Sequence, residues 1–264
     1  MRAPAAVRLS RRGVARQTGL TDASPAASVR FLFLLGLRMS ASILGPGPHP
    51  GEGVGESFSA AQLLQAREQS IEAVRRIAEG IRPGMDEPEA VALAEQVFSA
   101  LGYQRLWHPT HIRFGRNTLK LYKEASEPGV VLGERDLFFI DIGPVFDGHE
   151  GDYGDTFVIG DDPEMHAMAA AARTLFDRVA ERWRQGGSGQ ALYVYAETEA
   201  AAMGYALNLG SPGHRLGDFP HAVHKGGKLA DAAFSPSPGL WVLEIQIRYP
   251  NRDIGAFYED VLLR

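Results

Sequence analysis

The chain contains no cysteine. That excludes disulfides, thiolate zinc sites and cysteine nucleophiles together, so any metal must be held by oxygen and imidazole. No apolar run approaches the ~18 residues needed to cross a bilayer, which argues against a membrane partner. Positive charge is also scarce: 27 Lys and Arg stand against 32 acids, a net charge of −5. Nucleic acid is recognised through a basic footprint, and the chain as a whole lacks one. What is there is 264 residues, 45% apolar and 22% charged. That is the balance of a folded, soluble protein of one large domain or two small ones.

The first 57 residues differ from the rest. They hold seven arginines by Arg38 and no acid before Asp22, and Pro, Gly and Ser crowd them. The apolar run Phe31 to Leu37 allows a targeting segment. The composition equally allows a disordered leader, or a start at Met39. The division expected is therefore a leader over 1–57 and a folded domain over 58–264.

From Ser59 the apolar period turns helical through Leu63, Leu64, Ile71, Val74 and Ile77, with Gly80 and Pro83 as stops. Asp86, with Glu89 three residues on, forms a capping box for a second helix ending at Gly102. Strand signals follow at 130–132, 137–140 and 156–159. Asp162-Pro163 opens a third helix, Ser188 a fourth running to Met203, and strands and turns occupy the remainder. Two helices then strands, twice over, predict an α+β domain with pseudo-twofold symmetry and a site between its halves.

The chemistry lies in three stretches. Asp141 directly follows the apolar run Leu137 to Ile140, and Asp152 lies eleven residues later across Gly143, Gly148 and Gly151. A hairpin of that length can set both carboxylates side by side, and a cation would offset the cost of burying them. Asp147, followed by Gly148, reads instead as a turn aspartate. Next come His214 and His221, seven apart in a Gly- and Pro-rich segment. Finally Glu244 and Glu259 each sit inside an apolar strand, where glutamate is seldom buried without a partner. Four carboxylates and one histidine suit two divalent ions such as Mn, Fe, Co or Zn.

In type and order, Asp141, Asp152, His214, Glu244 and Glu259 resemble the metal ligands of the M24 metallopeptidases: methionine aminopeptidase, Xaa-Pro aminopeptidase, prolidase and relatives. The resemblance covers about Ser59 to Arg264, and the spacing of fifteen from Glu244 to Glu259 is similar to the Xaa-Pro branch. It implies a pita-bread (creatinase/aminopeptidase-like) fold and two divalent metal ions. One would be held by Asp141, Asp152 and Glu259. The other would be held by Asp152, His214, Glu244 and Glu259. Glu244 would shuttle a proton and His221 would donate to the reacting carbonyl. The substrate implied is a short peptide or a small amide, and the expected protein is cytoplasmic, with a homodimer as one allowed state.

The chain also departs from that pattern. His214 precedes Arg215, His221 precedes Ala222 rather than Glu, and Glu244 precedes Ile245 rather than Pro. Tyr122 and Lys123 occupy the place of the family's first pocket histidine, while His108 and His111 come earlier. Those histidines refill the pocket or pack at a strand edge. Tyr122 and His111 are accordingly the expected substrate-binding residues. Two rivals to the hydrolase stand: a catalytically silent binding module on the same fold, and a single non-haem iron seeded by His214 and His221. The second leaves Glu244 and Glu259 unexplained.

Overall fold

The computed structural model describes residues 47, 49–220 and 227–264. The chain divides into a short unit, Met1–Gly36, wholly outside the described residues, and a main unit, Leu37–Arg264. The apolar run Phe31 to Leu37 and residues His221 and Ala222 also fall outside the described residues.

Two helices open the described domain, α1 (Ala60–Gly80) and α2 (Glu87–Leu101). Ser59 caps α1, and the Asp86–Glu89 box caps α2, which Gly102 closes at φ 75°. Six strands follow: β1 (Arg105–Leu106), β2 (His111–Phe114), β3 (Asp136–Ile142), β4 (Pro144–Phe146), β5 (His149–Glu150) and β6 (Tyr153–Ile159). A second helix pair comes next, α3 (Pro163–Arg184) and α4 (Gly189–Ala202), capped by Asp162 and Ser188. Last are β7 (Ala206–Asn208), β8 (His214–Arg215), β9 (Trp241–Arg248) and β10 (Gly255–Val261). The expected helix–helix–strands order occurs twice.

One antiparallel sheet runs β2-β3-β6-β10-β9-β7, with β8 also paired to β9; β1, β4 and β5 form a small second sheet. Strand alternation divides each strand of the main sheet between two faces. Phe138, Ile140 and Ile142 pack with α1 and α2 around Val74, Ile77 and Phe98. Leu243, Ile245, Ile247 and Ala256 pack with α3 and α4 around Met168, Leu175 and Leu192. The residues between these, Asp141, Glu244 and Glu259, must then point to the other face.

One expectation is corrected. The apolar stretch 130–132 contributes only an isolated bridge, Val131 to Asp86, and Val131 is half exposed. Pro128 and Gly129 before it and Gly133 after it leave no length to pair. Ahead of the domain start expected at residue 58, several described residues pack on the domain. Glu52 is 1% exposed and accepts hydrogen bonds from the backbone and hydroxyl of Ser237, both 2.7 Å, and from Trp241 Nε1 at 2.8 Å. His49 stacks on Phe234, and Gly55 N–H donates to Asp218 at 2.8 Å. Pro/Gly-rich composition precludes regular structure here, but a single buried carboxylate with three donors suffices to dock an irregular segment.

Candidate metal centre

The site is assembled by strand register. His111 of β2 pairs with Asp141 of β3, Asp141 with Gly154 of β6, Gly154 with Glu259 of β10, and Glu259 with Glu244 of β9. Residues paired across an antiparallel sheet share a face, so this row crosses five strands on the face away from the helices. Gly154 stands at its middle. A Cβ there would fall 2.8 Å from Glu259 Oε1 and 2.5 Å from the Phe257 ring, so only glycine leaves room for the carboxylates. Asp152 lies two residues before Gly154, and His214 pairs with Val242, two before Glu244. Period two brings both onto the same face.

The span from Asp141 to Asp152 is a long hairpin whose tip is the β4–β5 pair, with Asp147 at φ 46° and Gly148 at φ 72°. Asp147 is thus a turn residue, remote in role from the two acids it lies between.

The carboxylates are deeply buried: Asp152 is 1% exposed, Glu259 2%, Glu244 8% and Asp141 9%. Both oxygens of Asp152 and Oε1 of Glu259 have no hydrogen-bond partner among the described residues. His214 Nε2 stands 3.0 Å from Asp152 Oδ2 and 3.5 Å from Glu244 Oε1, close but without hydrogen-bond geometry to Asp152. Burial pushes the Asp141 carboxyl up to about 6 and that of Glu244 up to about 7. Burial, with three neighbouring carboxylates, holds Glu259 well above its ordinary range. Burial opposes the charged form of His214 too, but Asp152 and Glu244 outweigh it and raise the imidazole to about 10. Asp152 is lowered: burial pushes it up, but His108 and His214 more than compensate. Unpartnered buried oxygens among mutually repelling carboxylates are what divalent cations satisfy, so the residues fit the metals that the sequence pattern implies.

Of the substrate-binding residues expected, Tyr122 lines the cavity of about 250 Å³ in front of the carboxylates, beside Trp107, Lys123 and Lys228. His111 does not reach it. Its ring packs against Tyr122 at 4.8 Å and lines a smaller adjoining recess. His108 enters the cavity instead, with Nε2 3.6 Å from Asp141 and 3.5 Å from Asp152. Sequence reasoning alone does not choose between two histidines three residues apart; the start of β2 at His111 turns one into the sheet and leaves the other in the preceding loop.

Arg215, which departs from the family pattern, is 3% exposed and donates from Nη2 to the carbonyl of Gly53. Burial lowers its pKa, against the opposing charges of Glu150, Asp218 and Glu52. The residue after His214 therefore ties the site loop to the N-terminal segment that docks through Glu52. The only trace of this in the sequence is that unusual arginine.

The sequence profile of metallopeptidase family M24 matches residues 61–263. The chain belongs to that family. No curated protein matches the sequence. Among solved structures, the X-Pro aminopeptidase of Thermotoga maritima is similar over 90% of this chain and 68% of its own, at 21% identity and a TM-score of 0.64. The prolidase of Pyrococcus furiosus is similar over 76% of this chain and 59% of its own, at 21% identity and a TM-score of 0.62. A methionine aminopeptidase of Thermotoga maritima is matched over 77% of this chain and 92% of its own, at 15% identity and a TM-score of 0.63. The fold is the pita-bread fold of these enzymes.

Proposed function

We propose that the protein is a dinuclear metal-dependent hydrolase that cleaves short peptides, or a small amide, in the manner of an aminopeptidase. The observation that carries this is the register row: Asp141, Glu259 and Glu244 lie on one sheet face, flanked by Asp152 and His214, with buried carboxylate oxygens left unpartnered.

In this reading Asp141, Asp152 and Glu259 would hold one ion, and Asp152, His214, Glu244 and Glu259 would hold the other. Mn, Co, Fe and Zn all suit such donors. When bound, the ions supply Lewis acidity for the attack of water on an amide carbonyl. The chain does the rest. Glu244, buried beside His214 at the cavity, would take the proton from the attacking water and return it to the leaving amine. The cavity wall of Trp107 and Tyr122 limits water and orients the substrate, and about 250 Å³ suits a short peptide. His221 would donate to the developing oxyanion, although it lies outside the described residues. A cytoplasmic location belongs to the same proposal and is checked by cell fractionation.

The test is elemental analysis of the purified protein followed by a peptide-library assay before and after chelation. Two ions per chain and chelator-sensitive release of amino-terminal residues are expected. Poor turnover of both Met-peptides and Xaa-Pro dipeptides is also expected, because Tyr122 replaces a pocket histidine and misplacement by about 1 Å lowers rates ~100-fold. Metal-free active protein would overturn the reading. Two bound ions with no turnover of any peptide or amide would replace it with a silent binding module.

A further inference from the structure

We propose that His108 is an additional metal ligand, so that each of the two ions has one imidazole. The inference rests on the dinuclear reading above and extends its donor set by a residue outside the family's five-ligand pattern.

The two histidines of the site are built alike. His214 Nδ1 lies 3.1 Å from the carbonyl of Arg215, and His108 Nδ1 lies 2.8 Å from the carbonyl of Pro109. A proton on Nδ1, shared with a backbone carbonyl, leaves the Nε2 lone pair as the outward-facing donor; this is how metal-binding histidines are commonly oriented. Both Nε2 atoms face Asp152, each at a different carboxylate oxygen. His214 approaches Oδ2 at 3.0 Å and His108 approaches Oδ1 at 3.5 Å, and neither oxygen has a hydrogen-bond partner among the described residues. His108 Nε2 is also 3.6 Å from Asp141 Oδ1, and single donor atoms of His108, Asp141 and Asp152 lie within 4.8 Å of one another. Ligand bonds of about 2.1 Å to one tetrahedral ion put neighbouring donors about 3.4 Å apart, which the observed separations match.

The sequence makes room for this ring. Gly143 follows β3, and a Cβ there would lie 2.1 Å from His108 Cδ2 and 2.4 Å from Nε2. Trp107 sets both imidazoles, with its ring edge-on to His108 at 4.4 Å and to His214 at 5.1 Å, while its indole N–H donates to Gly151 at 2.8 Å. His108 itself is 8% exposed, too enclosed to be a solvated loop residue. One nitrogen donor at each ion shifts preference from Mn towards Co and Zn at the Asp141 end as well as the His214 end.

The test is calorimetric titration of chelator-stripped full-length protein with Co(II) and with Zn(II), alongside the visible Co(II) spectrum. Wild type is expected to bind two ions. His108→Ala should weaken one of them at least ~100-fold and alter the Co(II) bands, while His111→Ala changes neither. Gly143→Ala, which displaces the ring without removing it, should reproduce the loss. His108→Gln keeps the bulk beneath Trp107, so a metal defect shared by all three variants, with unchanged melting of the stripped proteins, separates ligation from misfolding. A His108→Ala protein that binds both ions as tightly as wild type overturns the inference and leaves the dinuclear reading standing, even if its KM rises. A wild type that binds no ion overturns both.

Discussion

Acids close together in the chain meet opposite fates. On β10, Glu259 faces the cavity with an oxygen that has no hydrogen-bond partner among the described residues, while Asp260, the next residue, faces the helices and receives Arg67 Nε at 2.6 Å and Nη2 at 2.5 Å. On the other side of Gly154 from Asp152, Asp155 is held by Arg173 of α3. All four are buried acids in or beside apolar strands. The helix-facing pair is neutralised by arginines that the chain supplies. Among the described residues the cavity-facing pair has no arginine ion pair; the charged groups closest to it are His108, His214 and further acids. Burial of a carboxylate is tolerable only with a compensating charge, so the acids lacking an arginine are those that require a cation from outside.

The largest effect that could break this contrast is on Asp152, whose two oxygens have no hydrogen-bond partner among the described residues. Asp152→Ala should drop hydrolysis to background and remove at least one ion per chain, read by elemental analysis, with little loss of melting temperature in the stripped protein. If that variant retains full metal, the distinction between the two classes of acid fails. The next effect is the reverse. Asp260→Ala should leave metal content unchanged but destabilise the fold by about 1–2 kcal/mol, since it removes the two hydrogen bonds that Arg67 Nε and Nη2 make, while Glu68 still holds Arg67 Nη1. Denaturant unfolding measures this, and loss of metal with normal stability would contradict it.

A pH series sharpens the comparison. Asp141 and Glu244 titrate above their ordinary values through burial, and His214 through its acidic neighbours despite burial. Groups with folded pKa values above their unfolded ones contribute stability at low pH and lose it as pH rises through the folded values. Stripped protein should therefore melt at progressively lower temperature from about pH 5 to pH 9. Apparent metal affinity should rise over the same range, because each ligand must shed its proton to bind, and loading should release protons. A flat melting profile would show that the cavity acids are not held in their protonated forms. The last effect concerns the docked N-terminal segment. Glu52→Ala should cost about 2 kcal/mol by stranding the Trp241 indole and the Ser237 donors. Metal content should stay at two ions, and its loss would mean that the Arg215 tie controls the site directly.

Much of the fold was legible because it rests on local physics. Ser59, the Asp86–Glu89 box, Asp162 and Ser188 announce helix starts by satisfying backbone donors. The 130–132 stretch misled because three apolar residues between Pro128-Gly129 and Gly133 carry β propensity without the length to pair. At the site, the alternation around Asp141, Glu244 and Glu259 is readable, since a strand's side chains must alternate whatever it packs against. Which member of the Glu259-Asp260 pair faces the cavity is not readable from two adjacent acids.

Residue types, their order and the helix caps were determined by the sequence alone, because each depends on interactions within a few residues. The register row from His111 to Glu244, the space left by Gly154 and Gly143, and the placement of His108 beside Asp141 with His111 against Tyr122 were decided only in the tertiary structure. These depend on strands up to 148 residues apart, from His111 to Glu259, meeting in one register. A shift of a single residue in any strand would turn its side chain to the opposite face. Nothing local in the chain encodes that register; it follows from burying both hydrophobic cores on the helix side of the same sheet.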